Sequence, residues 1–454
     1  MSGGSENAEG SEAQQDRLYI NKGKGDFAAG ALPDTKASGS CVVAADYDRD
    51  GDMDLFVGGR VSPGRYPLPC RSYLLRNDTR KPDQPVFTDV TPELLQKPGM
   101  VCSALFSDVD TDGWIDLLLV GEFMPIRFFR NNQGTFTDQT NTAGLEQTSG
   151  WWNAIAGADI DHDGDIDYVV GNLGLNSRHK ASPKQPLCIY AKDFDKNGRI
   201  DPLLCSFVQG KNYLYPTRDE MIKQINSIRL RFPTYETYAS ATFEESFTKD
   251  ELQDAYLVKA VCFESSVLLN QGNGHFIRKP LPLSAQWSPL YGLQFFDVDA
   301  DGYDDLILAG NDFATEPSTG RYDAFQGTIL MNDRKGNFQE YTKYARALSM
   351  VKDSKGMALL FGNEAQPYLI IANNNDSLKV YALASDGRQA LDLPEGTAAV
   401  VVKEHSGPAY RWELHNGGNY LSSGSHKFYF RKQVAFLSVV DRKGNVREMV
   451  IPKP

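Results

Sequence analysis

The stretch from Asp108 to Gly121, DVDTDGWIDLLLVG, crowds four carboxylates and a glycine into nine residues and then turns apolar. It recurs as DYDRDGDMDLFVGG from Asp46, DIDHDGDIDYVVGN from Asp159, DFDKNGRIDPLLCS from Asp193 and DVDADGYDDLILAG from Asp297. Five copies make an internal repeat, and a repeat governs how the rest of a chain is read.

The context repeats as well. A short apolar run precedes each of four acidic loops (CVVAAD, SALFSD, AIAGAD, LQFFD), and a run ending at glycine follows (DLFVGG, DLLLVG, DYVVG, DLILAG). A hairpin with a Gly or Asn turn comes next, as in IRFFRNNQGTFTDQ and TILMNDRKGNFQEY. Short β-branched or apolar runs bounded by Gly, Asn and Asp are strands joined by turns. Each unit therefore reads as four antiparallel strands, which cannot bury their faces alone and do so when arranged radially. The expected fold is all-β: a β-propeller of six or seven blades with a helical insertion and a small C-terminal β domain. The run GMALLFGNEAQPYLIIANNNDSLKVYAL from Gly356 keeps the strands of the unit and lacks its aspartates.

The chain of 454 residues carries a net charge of −12. Its five nine-residue loops hold 22 Asp and three Lys/Arg, a charge of −19, which leaves +7 for everything else. Acid gathered into compact loops points to bound counter-ions rather than to general solubility. No basic cluster with interleaved aromatics suggests nucleic acid as a partner. No apolar run approaches the roughly 20 residues of a membrane span.

Within each loop the ligand-type residues fall at positions 1, 3, 5 and 9, with Gly at 6. They are Asp46, Asp48, Asp50 and Asp54; Asp108, Asp110, Asp112 and Asp116; Asp159, Asp161, Asp163 and Asp167; Asp193, Asp195, Asn197 and Asp201; and Asp297, Asp299, Asp301 and Asp305. Alternate side chains of a tight loop converge, and Gly permits the sharp turn. Four carboxylates so close repel unless a cation lies between them, and hard oxygen ligands in a flexible ring suit Ca²⁺. An EF-hand differs in running to twelve residues, ending in Glu and being flanked by helices. Metal-free Asx turns would account for one such loop, but poorly for five in register. The fourth copy is the weakest, with Asn197 at position 5 and Arg199 at the carbonyl position.

The repeated DxDxDGxxDLxxxG resembles the FG-GAP/VCBS repeats of integrin-α-like propellers over roughly residues 17–385. The resemblance implies Ca²⁺ at the loops and a propeller serving as a binding or structural platform. GGNYLSSGSHKFYF and LSVVDRKGNVRE, near the C-terminus, resemble the ASPIC/UnbV-type segment that follows such repeats. It implies a small β domain. The division expected is a leftover repeat loop at 1–16, a propeller at 17–392 and an ASPIC/UnbV-like β domain at 393–454. Residues from Ser2 to Phe27 parallel those that follow Val57, so the chain is read as starting inside a repeat of a longer secreted or surface protein. An extracellular, periplasmic or bacterial cell-surface location follows, with the signal upstream.

Between about residues 209 and 262 the repeat is interrupted. Capping boxes at Thr217-x-x-Glu220 and Thr248-x-x-Glu251 mark helix starts, and Met221, Ile225 and Ile228 share a helical face. Helix is expected between Arg218 and Tyr256. The six cysteines are scattered without a CxxC. They read as buried thiols, with Cys188 and Cys205 also placed to bridge across a hairpin.

HExxH, GxSxG, P-loop and dinucleotide motifs are all lacking. His162 is expected to face solvent. A carbohydrate-active enzyme would draw on Glu122, Glu316 and Asp312 at strand ends, with Trp151 and Trp152 stacking on a sugar. The preferred reading is a non-catalytic calcium-binding platform for a protein or glycan partner, with a purely architectural module as a further alternative.

Overall fold

The computed structural model describes residues 4–449 apart from 82–83, 317–318, 342–347, 363–365, 385–387, 406–407, 418–426 and 432–433. The chain is mostly strand, and its few helices are short. After an N-terminal hairpin, Leu18–Gly23 with Asp26–Gly30, five antiparallel sheets follow one another. Sheet I is Gly39–Ala45, Asp54–Gly59, Tyr73–Asn77 and Phe87–Asp89. Sheet II is Met100–Ser107, Asp116–Met124, Arg127–Asn132 and Thr135–Asp138, with a short fifth strand, Gly150–Trp151. Sheet III is Ala154–Ala158, Asp167–Gly171, Ser266–Asn270 and Phe276–Pro280, and sheet IV is Leu290–Phe296, Asp305–Gly310, Thr328–Asn332 and Phe338–Glu340. Sheet V, the unit without aspartates, has three strands: Ser354–Phe361, Pro367–Asn373 and Lys379–Ala382.

The first strands of the five sheets stand side by side in chain order, each beside the next. Apolar side chains fill the space between neighbouring sheets: Phe56, Leu74 and Leu119 between I and II, Leu118, Trp152 and Tyr168 between II and III, Leu293 and Leu306 between III and IV. The second strands are therefore covered on both faces, which is why they read as unbroken apolar runs rather than alternating ones. Leu117, Leu118 and Leu119 are all fully buried, each worth roughly 1.5–3 kcal/mol relative to exposure. The glycine ending the second strand has a steric cause. A Cβ at Gly121 would lie 1.9 Å from the Met100 carbonyl oxygen, and one at Gly310 2.2 Å from that of Pro289.

Five such sheets lie among the described residues, and the fourth acidic loop belongs to none of them. Sheet III is interrupted between Gly171 and Ser266. The excursion builds a sheet of its own, Leu187–Lys192, Asp201–Val208, Lys211–Leu214 and Tyr256–Ala260, and the loop from Asp193 to Asp201 belongs to it. The inserted segment thus begins well before the expected residue 209. It also carries five short helices between Arg218 and Leu252, with both anticipated capping boxes and two more at Thr234 and Thr242. Met221, Ile225 and Ile228 are buried together, but the helix stops at Gln224, so they span two helices rather than one. Cys188 and Cys205 are cross-strand partners joined by a disulfide, with Cα atoms 5.1 Å apart.

The C-terminal part forms a four-stranded sheet in the order Ala409–Glu413, Thr397–Glu404, Val434–Asp441, Val446–Met449. Strand Arg388–Asp392, ahead of the expected boundary at 393, pairs with Lys427–Arg431. Most of the segment GGNYLSSGSHKFYF lies outside the described residues. Ala409–Glu413 packs against Ala154–Ala158, a first strand of the array. Between them is a cavity of about 200 Å³, lined by Ile155, Phe296, Trp412 and His415 among others. No helix among the described residues is long and apolar enough to cross a membrane.

Candidate metal centres

Each acidic loop closes a hairpin in one register. The residue before position 1 pairs with the aspartate at position 9: Ala45 with Asp54, Ser107 with Asp116, Ala158 with Asp167, Lys192 with Asp201, Phe296 with Asp305. Position 4 is left-handed in all five, at Arg49, Thr111, His162, Lys196 and Ala300, and so is the glycine at position 6. Non-glycine residues rarely adopt that conformation, so its fivefold occurrence marks a shared built geometry. The amide of that glycine donates to the position-1 carboxylate in every copy: Gly51 to Asp46 at 3.0 Å, Gly113 to Asp108 at 3.1 Å, Gly164 to Asp159 at 3.1 Å, Gly198 to Asp193 at 2.8 Å and Gly302 to Asp297 at 3.1 Å.

This geometry gathers Asp46, Asp48 and Asp50, then Asp108, Asp110 and Asp112, then Asp159, Asp161 and Asp163, with one oxygen from each within 4.8 Å of the others in its set. In the remaining loops the gathered sets are Asp193, Asp195 and Asp201, and Asp297, Asp299 and Asp305. Position 9 is thus drawn into the cluster in two loops. In four loops it is also held by two backbone amides: Asp116 accepts from Val109 at 3.0 Å and Asn131 at 2.7 Å, and Asp54, Asp167 and Asp305 repeat the pattern. Asp301 at position 5 is engaged by Arg334 at 2.8 Å. Buried oxygens Asp46 Oδ1 and Asp161 Oδ1 accept no hydrogen bond. An all-oxygen set with unpartnered carboxylate atoms fits a hard divalent cation.

The electrostatics agree. Burial, then the neighbouring carboxylates, pushes Asp46 up to about 6. Burial likewise carries Asp54 and Asp305 to about 7 and Asp116 and Asp167 to about 8. Asp108 rises to about 7 through burial and the charge of Glu413, and Asp159 to about 7 chiefly through burial. The cause is desolvation of charge that nothing on the loop neutralises.

Residues 8–57 and 108–170 match the family model described as FG-GAP-like repeat. Those two segments carry the FG-GAP-like repeat. Curated relatives named cartilage acidic protein 1 are similar to parts of it. The mouse protein is 32% identical over 127 residues, 26% of this chain and 19% of that protein. The Xenopus tropicalis protein is 24% identical over 185 residues, 38% of this chain and 26% of that one. The human protein is 31% identical over 97 residues, 20% and 14%. The chain thus spans about a quarter or less of these relatives in the matched regions. Among solved structures, Saccharomyces cerevisiae Sqt1 aligns at 11% identity and a TM-score of 0.35 over 81% of this chain and 78% of that one, too loose a likeness to argue from.

The FG-GAP loops are latched to their neighbours by a residue that the spacing of carboxylates did not reveal. In sheets II, III and IV an asparagine at the end of the third strand turns its side-chain amide onto two loops, while among the described residues Asn77 of sheet I reaches only its own loop, at Met53 O. Asn131 Nδ2 donates to Ile115 O of its own loop at 3.0 Å and to Tyr47 O of the loop before it at 2.8 Å. Asn270 does the same with Ile166 O at 3.3 Å and Val109 O at 2.7 Å, and Asn332 with Asp304 O at 3.1 Å and Ile160 O at 2.8 Å. The signal was present in the sequence as an Asn recurring after LLR, RFFR, VLL and ILM.

Arginines crowd the same loops. Arg130 pairs with Asp110 at 2.6 Å and Asp112 at 3.0 Å, and Arg49 lies over the Trp114 ring at 4.2 Å. His162, expected to face solvent, is buried, stacked between Tyr303 at 3.9 Å and Tyr410 at 4.3 Å. Its ring packs against the acidic loop at Asp297 and against the C-terminal sheet.

Of the residues considered for sugar chemistry, Trp151 shares an apolar cluster with Tyr66 and Tyr322, and the charges of Glu316 and Asp312 add to burial in raising the pKa of Tyr215 and Tyr322. Trp152 is fully buried and donates to Thr148 O at 2.9 Å, so its face is not open to a ligand. Trp151 packs between Phe123 and His179. Glu122 is buried and ion-paired to Arg60, with Tyr66 Oη at 3.3 Å. Asp312, just past the strand Asp305–Gly310, accepts from Tyr291 at 3.0 Å and bridges to Tyr322.

Proposed function

We propose that the chain is a non-catalytic, calcium-stabilised platform: an open, propeller-type array of FG-GAP sheets, part of a secreted or surface protein, that presents loops to a protein or glycan partner. The observation that carries this reading is the fivefold loop geometry, with the glycine amide on the position-1 carboxylate in every copy and unpartnered buried oxygens at Asp46 and Asp161. Calcium would be held by the carboxylates of positions 1, 3, 5 and 9, with Asn197 supplying an amide oxygen in the loop at Asp193.

A bound cation supplies the positive charge that lets these carboxylates remain ionised in a buried setting. The protein's own contribution is rigidity, because loops held by neighbouring sheets present their flanking side chains in a fixed arrangement. The disulfide between Cys188 and Cys205 fits an oxidising compartment.

The test has two arms. Elemental analysis and calorimetric titration with Ca²⁺ should find metal bound at the loops, with Mg²⁺ substituting poorly. A glycan array and a protein pull-down with the calcium-loaded chain should retain a partner, and hydrolysis screens should stay at background. Metal-independent turnover abolished by Glu122→Gln or Glu316→Gln would overturn the non-catalytic reading.

A further inference from the structure

The C-terminal segment reaches back onto the FG-GAP loops, and it does so through arginines and at repeated loop positions. Arg411 Nη2 donates to Asp108 Oδ2 at 3.0 Å, and the Arg411 backbone amide to Asp159 Oδ2 at 2.9 Å. Both acceptors are position-1 carboxylates, on adjacent loops. Arg388 is ion-paired to a third position-1 carboxylate, Asp297, at 3.5 Å and also donates to its carbonyl. Arg442 Nη1 lies 3.3 Å from the carbonyl of Gly51, the position-6 glycine of the first loop. Tyr410 completes the stack with His162 and Tyr303, which joins the loops at Asp159 and Asp297. Glu413 accepts from Ser107, the residue before Asp108, at 2.6 Å, and from the Arg411 guanidinium at 3.1 Å. All four loops of sheets I to IV are touched in this way. The loop at Asp193, out on the excursion and largely exposed, receives none of these contacts.

We propose that docking of the C-terminal segment through Arg388, Tyr410, Arg411 and Arg442 and cation binding in the loops of sheets I to IV are thermodynamically linked, each strengthening the other. The proposal rests on the calcium reading above and adds to it a receptor surface and an occupant, the chain's own C-terminal sheet. Charge leaves room for both cations, metal and arginine, and the shared acceptor is what makes them cooperate. The loop at Asp108 carries four carboxylates; a divalent cation leaves it at about −2, still attractive to Arg130 and to Arg411, which also answers Glu413. The loop at Asp159 carries five and stays more negative still. Position-1 carboxylates hold an oxygen against the loop glycine and against the arginine together, so a metal that fixes the loop fixes the acceptor. Without it, repulsion among the carboxylates opens the loop and takes the acceptor away. Linkage then works both ways, because the coupling free energy is shared.

The experiment titrates Ca²⁺ into the full chain and into Arg411→Ala and Arg411→Lys variants, with hydrogen exchange followed in strands Thr397–Glu404 and Ala409–Glu413. Arg411→Ala should weaken calcium binding by about fivefold or more at the loop of Asp108, with Arg411→Lys in between; the backbone amide that Arg411 gives to Asp159 survives the change. Calcium should slow exchange in both strands more than in Leu187–Lys192. An Asp195→Ala change in the excursion loop should leave that slowing intact. Calcium affinity unchanged in Arg411→Ala, with C-terminal exchange indifferent to calcium, overturns the linkage while the calcium reading stands. No calcium uptake by the wild-type chain overturns both.

Discussion

Asn131 Nδ2 donates to the carbonyl of Tyr47 at 2.8 Å and so ties the third strand of sheet II to the acidic loop of sheet I. One side chain thereby satisfies two buried carbonyls on neighbouring sheets. Asn131→Ala should cost about 1–3 kcal/mol, because both acceptors are left unpaired. Urea denaturation checks it, with the exposed neighbour Asn132→Ala as control, expected within about 0.5 kcal/mol of wild type.

Chelation should lower the melting temperature. A ligand that binds only the folded chain stabilises by about 2.7 kcal/mol per site at a hundredfold excess over Kd. Differential scanning calorimetry in Ca²⁺ and in EDTA tests this, and identical melting curves would sink the metal reading.

Asp161→Ala removes the position-3 oxygen that stands without a partner in the loop at Asp159. The variant should bind one calcium fewer by isothermal titration. Its melting temperature should fall in calcium and much less in chelator.

The metal-free protein should be more stable on the acid side of neutrality. Burial raises Asp116 and Asp167 from 3.8 to about 8 and Asp54 and Asp305 to about 7. Over that window the folded state holds more protons than the unfolded one, so stability is fully present below the ordinary carboxylate value and is lost as pH rises through 7 to 8. In EDTA the melting temperature should therefore be higher at about pH 5.5 than at about pH 8. Saturating calcium should flatten or reverse that slope, since the carboxylates are then ligands. A chelated protein whose melting temperature climbs with pH across this range would contradict the assignment.

Gly121→Ala should be strongly destabilising. The added Cβ would lie 1.9 Å from the Met100 carbonyl oxygen and 2.8 Å from Met124 Sδ, and the strand is buried on both faces, so neither neighbour can yield cheaply. A loss of about 1–3 kcal/mol or more is expected by chemical denaturation.

Local chemistry was legible in the sequence. The five acidic loops, the strands beside them, the capping boxes of the excursion and the aspartate-free unit at sheet V all follow from residue type and short spacing, because a nine-residue loop and a hairpin are closed by contacts among sequence neighbours. The aspartates at position 9 were legible as members of the pattern, yet only the fold showed that Asp54, Asp116 and Asp167 are held by backbone amides from a strand 15 to 103 residues away in sequence.

Assignment of units to sheets was decided by tertiary structure. DFDKNGRID has the form of the other loops, but it closes a hairpin of the inserted sheet, because strands Asp167–Gly171 and Ser266–Asn270 find each other across the whole excursion. No local pattern encodes that pairing. The inward turn of His162, the blade-to-blade reach of Asn131 and the seating of Arg411 on Asp108 and Asp159 are likewise long-range. Sequence alone determined what each loop can hold, since that depends on neighbouring oxygens. Which loops share a wall, and what covers them, was settled only when burial of apolar faces brought distant strands together.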